Sequence, residues 1–175
     1  KGDLQRQNLD LLQSLNRRHL ARNPGEADLE ARIASYELAA RMQSAAKEAL
    51  DVSGESEATQ KMYGIDQPES QEYGTRCLIA RRLLERGVRF VELMDVGGTN
   101  NWDAHGDMQS HAPLAKAIDQ PLAGLLKDLR SRGLMDDTLV VFATEFGRTP
   151  FGKKEDQGRG HHMRAFTCWL AEPEC

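Results

Sequence analysis

Seven consecutive residues, Thr138-Leu139-Val140-Val141-Phe142-Ala143-Thr144, constrain the fold of this chain more than any other feature. A near-continuous apolar run of this length, rich in β-branched and aromatic side chains, is the pattern of a strand covered on both faces, as in a parallel sheet. Ahead of it, residues 114–132 follow helical spacing, interrupted at Pro121 and closed by Gly133. Earlier still, residues 88–96, centred on Val88-Arg89-Phe90-Val91-Glu92-Leu93-Met94, read as a strand. Strand, helix and strand in that order predict a right-handed βαβ unit within an α/β domain portion covering 88–175. Residues 165–170 add one further strand.

Residues 1–87 read as a helical segment. Leu4, Leu11, Leu12, Leu15 and Leu20 fall on one helical period until Asn23-Pro24-Gly25 interrupts it. Leu29, Ile33, Tyr36, Leu38 and Met42 begin a second helix. Residues 51–71 are polar and form a connection with a short helix at 57–62. A third helix spans 70–85, with Cys77, Leu78, Leu83 and Leu84 turned inward and Gly87 as its stop. The pairs Arg17-Arg18 and Arg81-Arg82, each near acidic residues, read as solvated helix faces, and His19 as a surface residue.

Composition excludes several classes of function. With 175 residues and a net charge of -4, the chain lacks the basic footprint that a nucleic-acid backbone requires. No apolar run reaches membrane-spanning length. Cysteines at 77, 168 and 175 have no C-x-x-C spacing; Cys77 and Cys168 read as small core residues, and the trio leaves the redox compartment open.

Chemistry-bearing residues gather in three short loops. Asn101-Trp102-Asp103-Ala104-His105-Gly106-Asp107 follows the first strand, Glu145-Phe146-Gly147-Arg148 follows the second, and His161-His162 comes later. Loops leaving the carboxyl ends of strands converge on one sheet edge, where α/β folds place their ligands. Asp103, His105, Glu145, His161 and His162 supply carboxylate and imidazole donors suited to a divalent metal, with zinc, calcium, magnesium and manganese all open. Arg148, or alternatively Arg159, offers a planar fork for a substrate oxyanion. Each piece also has a plainer reading. Residues 102–105 can be an Asx-type turn with a surface histidine, Glu145 can pair with Arg148, and adjacent histidines in a Gly-rich loop can simply be exposed. Asp107 and His111 fit the capping and first turn of the following helix.

The segment from Arg132-Gly133-Leu134 through Val140-Val141-Phe142 to Thr144-Glu145-Phe146-Gly147 resembles the helix, strand and metal loop of the sulfatase branch of the alkaline phosphatase superfamily. More closely, Asn100-Asn101-Trp102-Asp103-Ala104-His105-Gly106-Asp107, Glu145-Phe146-Gly147-Arg148-Thr149-Pro150 and Gly158-Arg159-Gly160-His161-His162 resemble a sulfatase-like bacterial family, domain of unknown function 1501. Its members are usually exported. The helical part, from Leu15-Asn16-Arg17-Arg18-His19-Leu20 to Ile33-Ala34-Ser35-Tyr36-Glu37-Leu38, fits it as well.

The resemblance implies part of a doubly wound, mostly parallel sheet preceded by helices. It implies an exported or periplasmic location, and a metal-dependent hydrolase of small sulfate or phosphate esters. On the same fold, the alternative is a non-catalytic exported metal- or anion-binding protein. Asp103 and His105 match ligands of one metal, Glu145 the acidic residue ending the later strand, and His161 or His162 the late histidine. Two positions depart from the pattern: Phe146 stands where a ligand His or Asn is usual, and Gly160 where Asp is common. The superfamily's nucleophile has no counterpart here. Cys77-Leu78-Ile79-Ala80-Arg81 lacks the proline of the sulfatase pattern and lies in a helix, so the expectation is that an N-terminal portion of the same protein, carrying the nucleophile and further strands, precedes Lys1. Without it, an apolar sheet edge or face near 88–94 or 165–170 is expected to stand open.

Overall fold

A computed structural model describes residues 2–24, 27–95, 101–152 and 158–172. Lys1, Gly25, Asn100 and Cys175, named above, lie outside them, as does position 96 at the end of the first expected strand. The chain separates into two compact units, 1–48 and 49–175.

The first unit is helical, with α1 (Gly2–Arg22) followed by most of α2 (Ala27–Leu50). The leucine period expected from the sequence is that of α1. Asn23 ends it: its backbone N–H reaches the Leu20 carbonyl at 3.0 Å and its side-chain amide donates to the His19 carbonyl at 2.9 Å. Asp28 and Glu30 in the first turn of α2 and Lys47 in its last complement the helix dipole. His19 is exposed, as expected.

The second unit holds a mixed α/β arrangement. Its core is Tyr63, Cys77, Leu78, Leu125, Leu129 and Met135, contributed by α3 (Glu57–Met62) with its following turn, α4 (Gln71–Leu84), α5 (His111–Ser131) and a 3-10 turn at Leu134–Asp137. Ser56 caps α3 by accepting from the Thr59 N–H at 3.1 Å. Two helical glycines explain how closely these parts meet. A Cβ at Gly74 on α4 would overlap the Tyr63 carbonyl, and one at Gly124 on α5 would overlap that of Met62. Gly133, at φ 70, takes the left-handed conformation that ends α5, and Gly87, at φ 79, does the same after α4.

Arg81 corrects the sequence reading. Its side chain is only 2% exposed and lies 2.9 Å from Glu55, 2.7 Å from Glu85 and 3.0 Å from Asp128. Asp128 also accepts from the Tyr63 hydroxyl at 2.9 Å and from Arg132 Nε at 2.7 Å. The guanidinium is buried because acids from three separate segments neutralise it, a condition that no pattern along α4 alone displays.

The strands differ from the expected βαβ unit. Residues 88–95 form no ladder, although Leu93 packs against the core. A strand exists only by pairing, and β propensity without a partner yields irregular extended chain. The second expected strand is shorter than predicted, β1 (Val140–Ala143), and it pairs antiparallel with β4 (Cys168–Ala171). A second antiparallel ladder joins β2 (Gly147–Arg148) to β3 (His161–His162). Bonds from Thr144 N–H to the Thr167 carbonyl and from Gly147 N–H to that of Ala165 link the ladders, and one from Thr149 N–H to the Gly160 carbonyl extends the second ladder outward. The result is one antiparallel arm running out along β1 and β2 and returning along β3 and β4. The return path has more residues than the outward path between the ladders, so the register shifts there as at a bulge. Phe142 and Trp169 stack on one face of the arm, ring centroids 5.3 Å apart, while Val141 and Leu170 on the other stay exposed. Cys168 lies on that open face, which corrects its assignment to the core; Cys77 is buried as expected.

Candidate metal centre

The loop 101–107 is fixed by its own side chains before it meets anything else. Asn101 Oδ1 accepts from the Asp103 N–H at 2.9 Å, closing an Asx turn. Trp102 Nε1 donates to Asp95 at 2.9 Å, and His111, at the start of α5, sits 2.8 Å from the Trp102 carbonyl. A carbonyl only accepts, so His111 Nε2 carries the proton. Asp107 caps the 3-10 turn at Met108–Ser110 by accepting from the Gln109 N–H at 2.8 Å, the capping role read from the sequence. Gly158 then lies against the loop so closely that a Cβ there would overlap the His105 carbonyl.

This loop meets the tip of the β arm. Asp103 Oδ1 lies 2.7 Å from His161 Nε2, 2.6 Å from Arg148 Nη2 and 2.9 Å from His105 Nε2. Asp103, His105 and His161 form the one cluster of metal-capable ligand atoms among the described residues, all within 4.8 Å of one another. Their side chains are 52%, 55% and 43% exposed, so the cluster opens to solvent. Two imidazoles and one carboxylate form a zinc-type donor set. The hydrogen bond from His161, reinforced by Arg148, holds the Asp103 carboxyl below the ordinary range, at about 2. Asp103 is therefore a carboxylate, the form that ligates, across all ordinary pH.

Two rings pack against His161. The His105 ring lies 4.7 Å from it, and Phe146 meets it edge-on, also at 4.7 Å. Phe146, noted above only as a residue standing where a ligand is usual, instead packs against one of the three candidate ligands. His162 is not brought into the cluster. Adjacent strand residues point to opposite faces, and its Nδ1 is buried without a hydrogen-bond partner. Glu145 lies between β1 and β2, exposed and outside the cluster. Arg159 contributes its carbonyl, which accepts from Arg148 Nη1 at 3.2 Å, while its side chain is exposed. Sequence reasoning missed the brace by Phe146, the anchoring of Trp102 by Asp95 and the close approach of Gly158. Of these, only the glycine carried a signal, a residue without Cβ beside two ligand loops.

The family model described as Protein of unknown function (DUF1501) matches residues 1–171. No curated protein and no solved structure matches the chain.

Proposed function

The chain belongs to the DUF1501 family, and from that premise and the loop geometry we propose that it binds one divalent metal ion through Asp103, His105 and His161 and hydrolyses small sulfate or phosphate esters. One observation carries the reading. An acidic loop and a strand 58 residues further on deliver three ligand atoms to one point that stays open to solvent. Three protein ligands with an open side are the arrangement of catalytic rather than structural zinc sites. The two imidazoles favour zinc over calcium or magnesium, which prefer all-oxygen shells. An ion held there would supply a Lewis acid for an ester oxygen and a water of lowered pKa.

The protein's own residues divide the remaining work. Asp103 brings the negative charge, and Phe146 and the His105 ring hold His161 in place. Arg148 has its fork committed to protein acceptors, so the exposed Arg159 side chain is the better partner for a substrate oxyanion. The resemblance to sulfatases supports the finer reading: a chain that contributes to a doubly wound sheet, acts outside the cytoplasm and works with a nucleophile of the sulfatase type. Cys77 is not that nucleophile, since burial pushes its thiol up to about 12.

The test is hydrolysis of 4-nitrophenyl sulfate and 4-nitrophenyl phosphate by zinc-loaded full-length protein. Turnover abolished by a chelator, restored by zinc and lowered at least about tenfold by Asp103→Asn is expected. Zinc binding without turnover on either ester would leave the non-catalytic binding protein as the correct reading.

A further inference from the structure

We infer that Arg148 is a positioning residue for the metal centre, resting on the reading just given, and that its guanidinium fastens the two ligand-bearing segments together. Three contacts carry this. Nη2 donates to Asp103 Oδ1 at 2.6 Å and to the Trp102 carbonyl at 3.1 Å, and Nη1 donates to the Arg159 carbonyl at 3.2 Å. One planar group thus reaches the loop that carries Asp103 and His105, and the backbone two residues before His161. Its own backbone lies on β2 directly opposite His161 on β3.

Burial and acceptor chemistry separate this role from that of a substrate clamp. Arg148 is 20% exposed, against 43% to 55% for the three ligands, so it lies beneath them rather than at the mouth. Two of its acceptors are main-chain carbonyls, which remain in place whether or not a ligand is bound. Without the guanidinium those carbonyls lose a donor, and the 101–107 loop loses one of its ties to the arm. A lysine cannot substitute, because an ammonium on a flexible stem does not present two nitrogens in a fixed plane to acceptors on opposite sides. The His111 contact at 2.8 Å would still hold the Trp102 carbonyl, so the loop shifts rather than unfolds.

The experiment uses the whole chain and its Arg148→Lys and Arg148→Gln variants. Cobalt(II) is the probe, its visible absorption reporting both affinity and ligand geometry. Imidazole nitrogen resonances are recorded in metal-free protein, with His19 of α1, bonded to Asn23, as the internal control. Both variants are expected to bind cobalt about 10–100-fold more weakly with an altered spectrum. The His105 and His161 resonances are expected to move while that of His19 does not. Arg148→Lys binding cobalt as tightly as the parent, with an unchanged spectrum and unmoved imidazoles, would overturn the inference and return Arg148 to the role of substrate clamp. Absence of cobalt binding by the parent protein would overturn the metal reading itself, and the imidazole shifts alone would then decide whether Arg148 orders the loops.

Discussion

Asp103 Oδ1 is the acceptor on which the site converges, with nitrogens of His161, Arg148 and His105 at 2.7, 2.6 and 2.9 Å. His161 and then Arg148 depress its pKa from 3.8 to about 2. A carboxyl whose folded pKa is depressed contributes stability that is present above its unfolded pKa and is lost as pH falls through the folded one. The cluster is therefore expected to stay assembled at pH 4 and to loosen only near pH 2. Following the Asp103 carboxyl carbon by NMR checks this: His161→Ala should move its midpoint back up toward 3.8, and an unmoved midpoint would show that His161 is not its main partner. At this scale the sequence was informative where chemistry is written in side-chain type. Asp103, His105 and the His161-His162 pair were legible as metal-capable side chains. The choice between His161 and His162 was not, because which of two adjacent strand residues faces the loop depends on pairing register.

Elements that depend on local spacing were legible, and those that depend on partners were not. The helix at 57–62 and the left-handed stops at Gly87 and Gly133 follow from capping and backbone chemistry contained in a few residues. The antiparallel arm does not: Val140-Val141-Phe142 is apolar whichever way its neighbour runs. Arg81 is the clearest case. Beside Arg82 it reads as a charged face, yet Glu55, Glu85 and Asp128 surround it in the interior of the second unit. Removing one member of such a network leaves opposite charges buried without compensation, which costs about 3–5 kcal/mol. Arg81→Ala is expected to lower the unfolding free energy of the second unit, read from urea denaturation, by that order, whereas Arg76→Ala, which removes an exposed pair with Glu72 and a 3.3 Å bond to the Met94 carbonyl, should change it by less than about 1 kcal/mol. Equal effects from the two would contradict the buried network.

At the scale of the whole molecule, the second unit concentrates its core under α4 and α5 and leaves one face of the β arm uncovered. Val141 and Leu170 are exposed and paired across that arm, and Leu170 lies within the 165–170 stretch where an open apolar face was expected from the sheet that the resemblance implied. Thiol reactivity reports the distinction directly. In native protein Cys168 should be alkylated readily, while Cys77, buried and with its thiol pushed up to about 12, should react only on unfolding. Mass spectrometry of the two peptides checks this, and early modification of Cys77 would contradict the packing of α4. The central claim is the convergence of Asp103, His105 and His161 on one ion. Its most direct test is titration of metal-free protein with zinc, alongside Asp103→Ala, His105→Ala, His161→Ala and, as the neighbour on the opposite strand face, His162→Ala. One zinc per chain, lost or greatly weakened in the first three variants and retained in the fourth, is the predicted result; no zinc bound by the parent chain, or equal binding by all four variants, would contradict it.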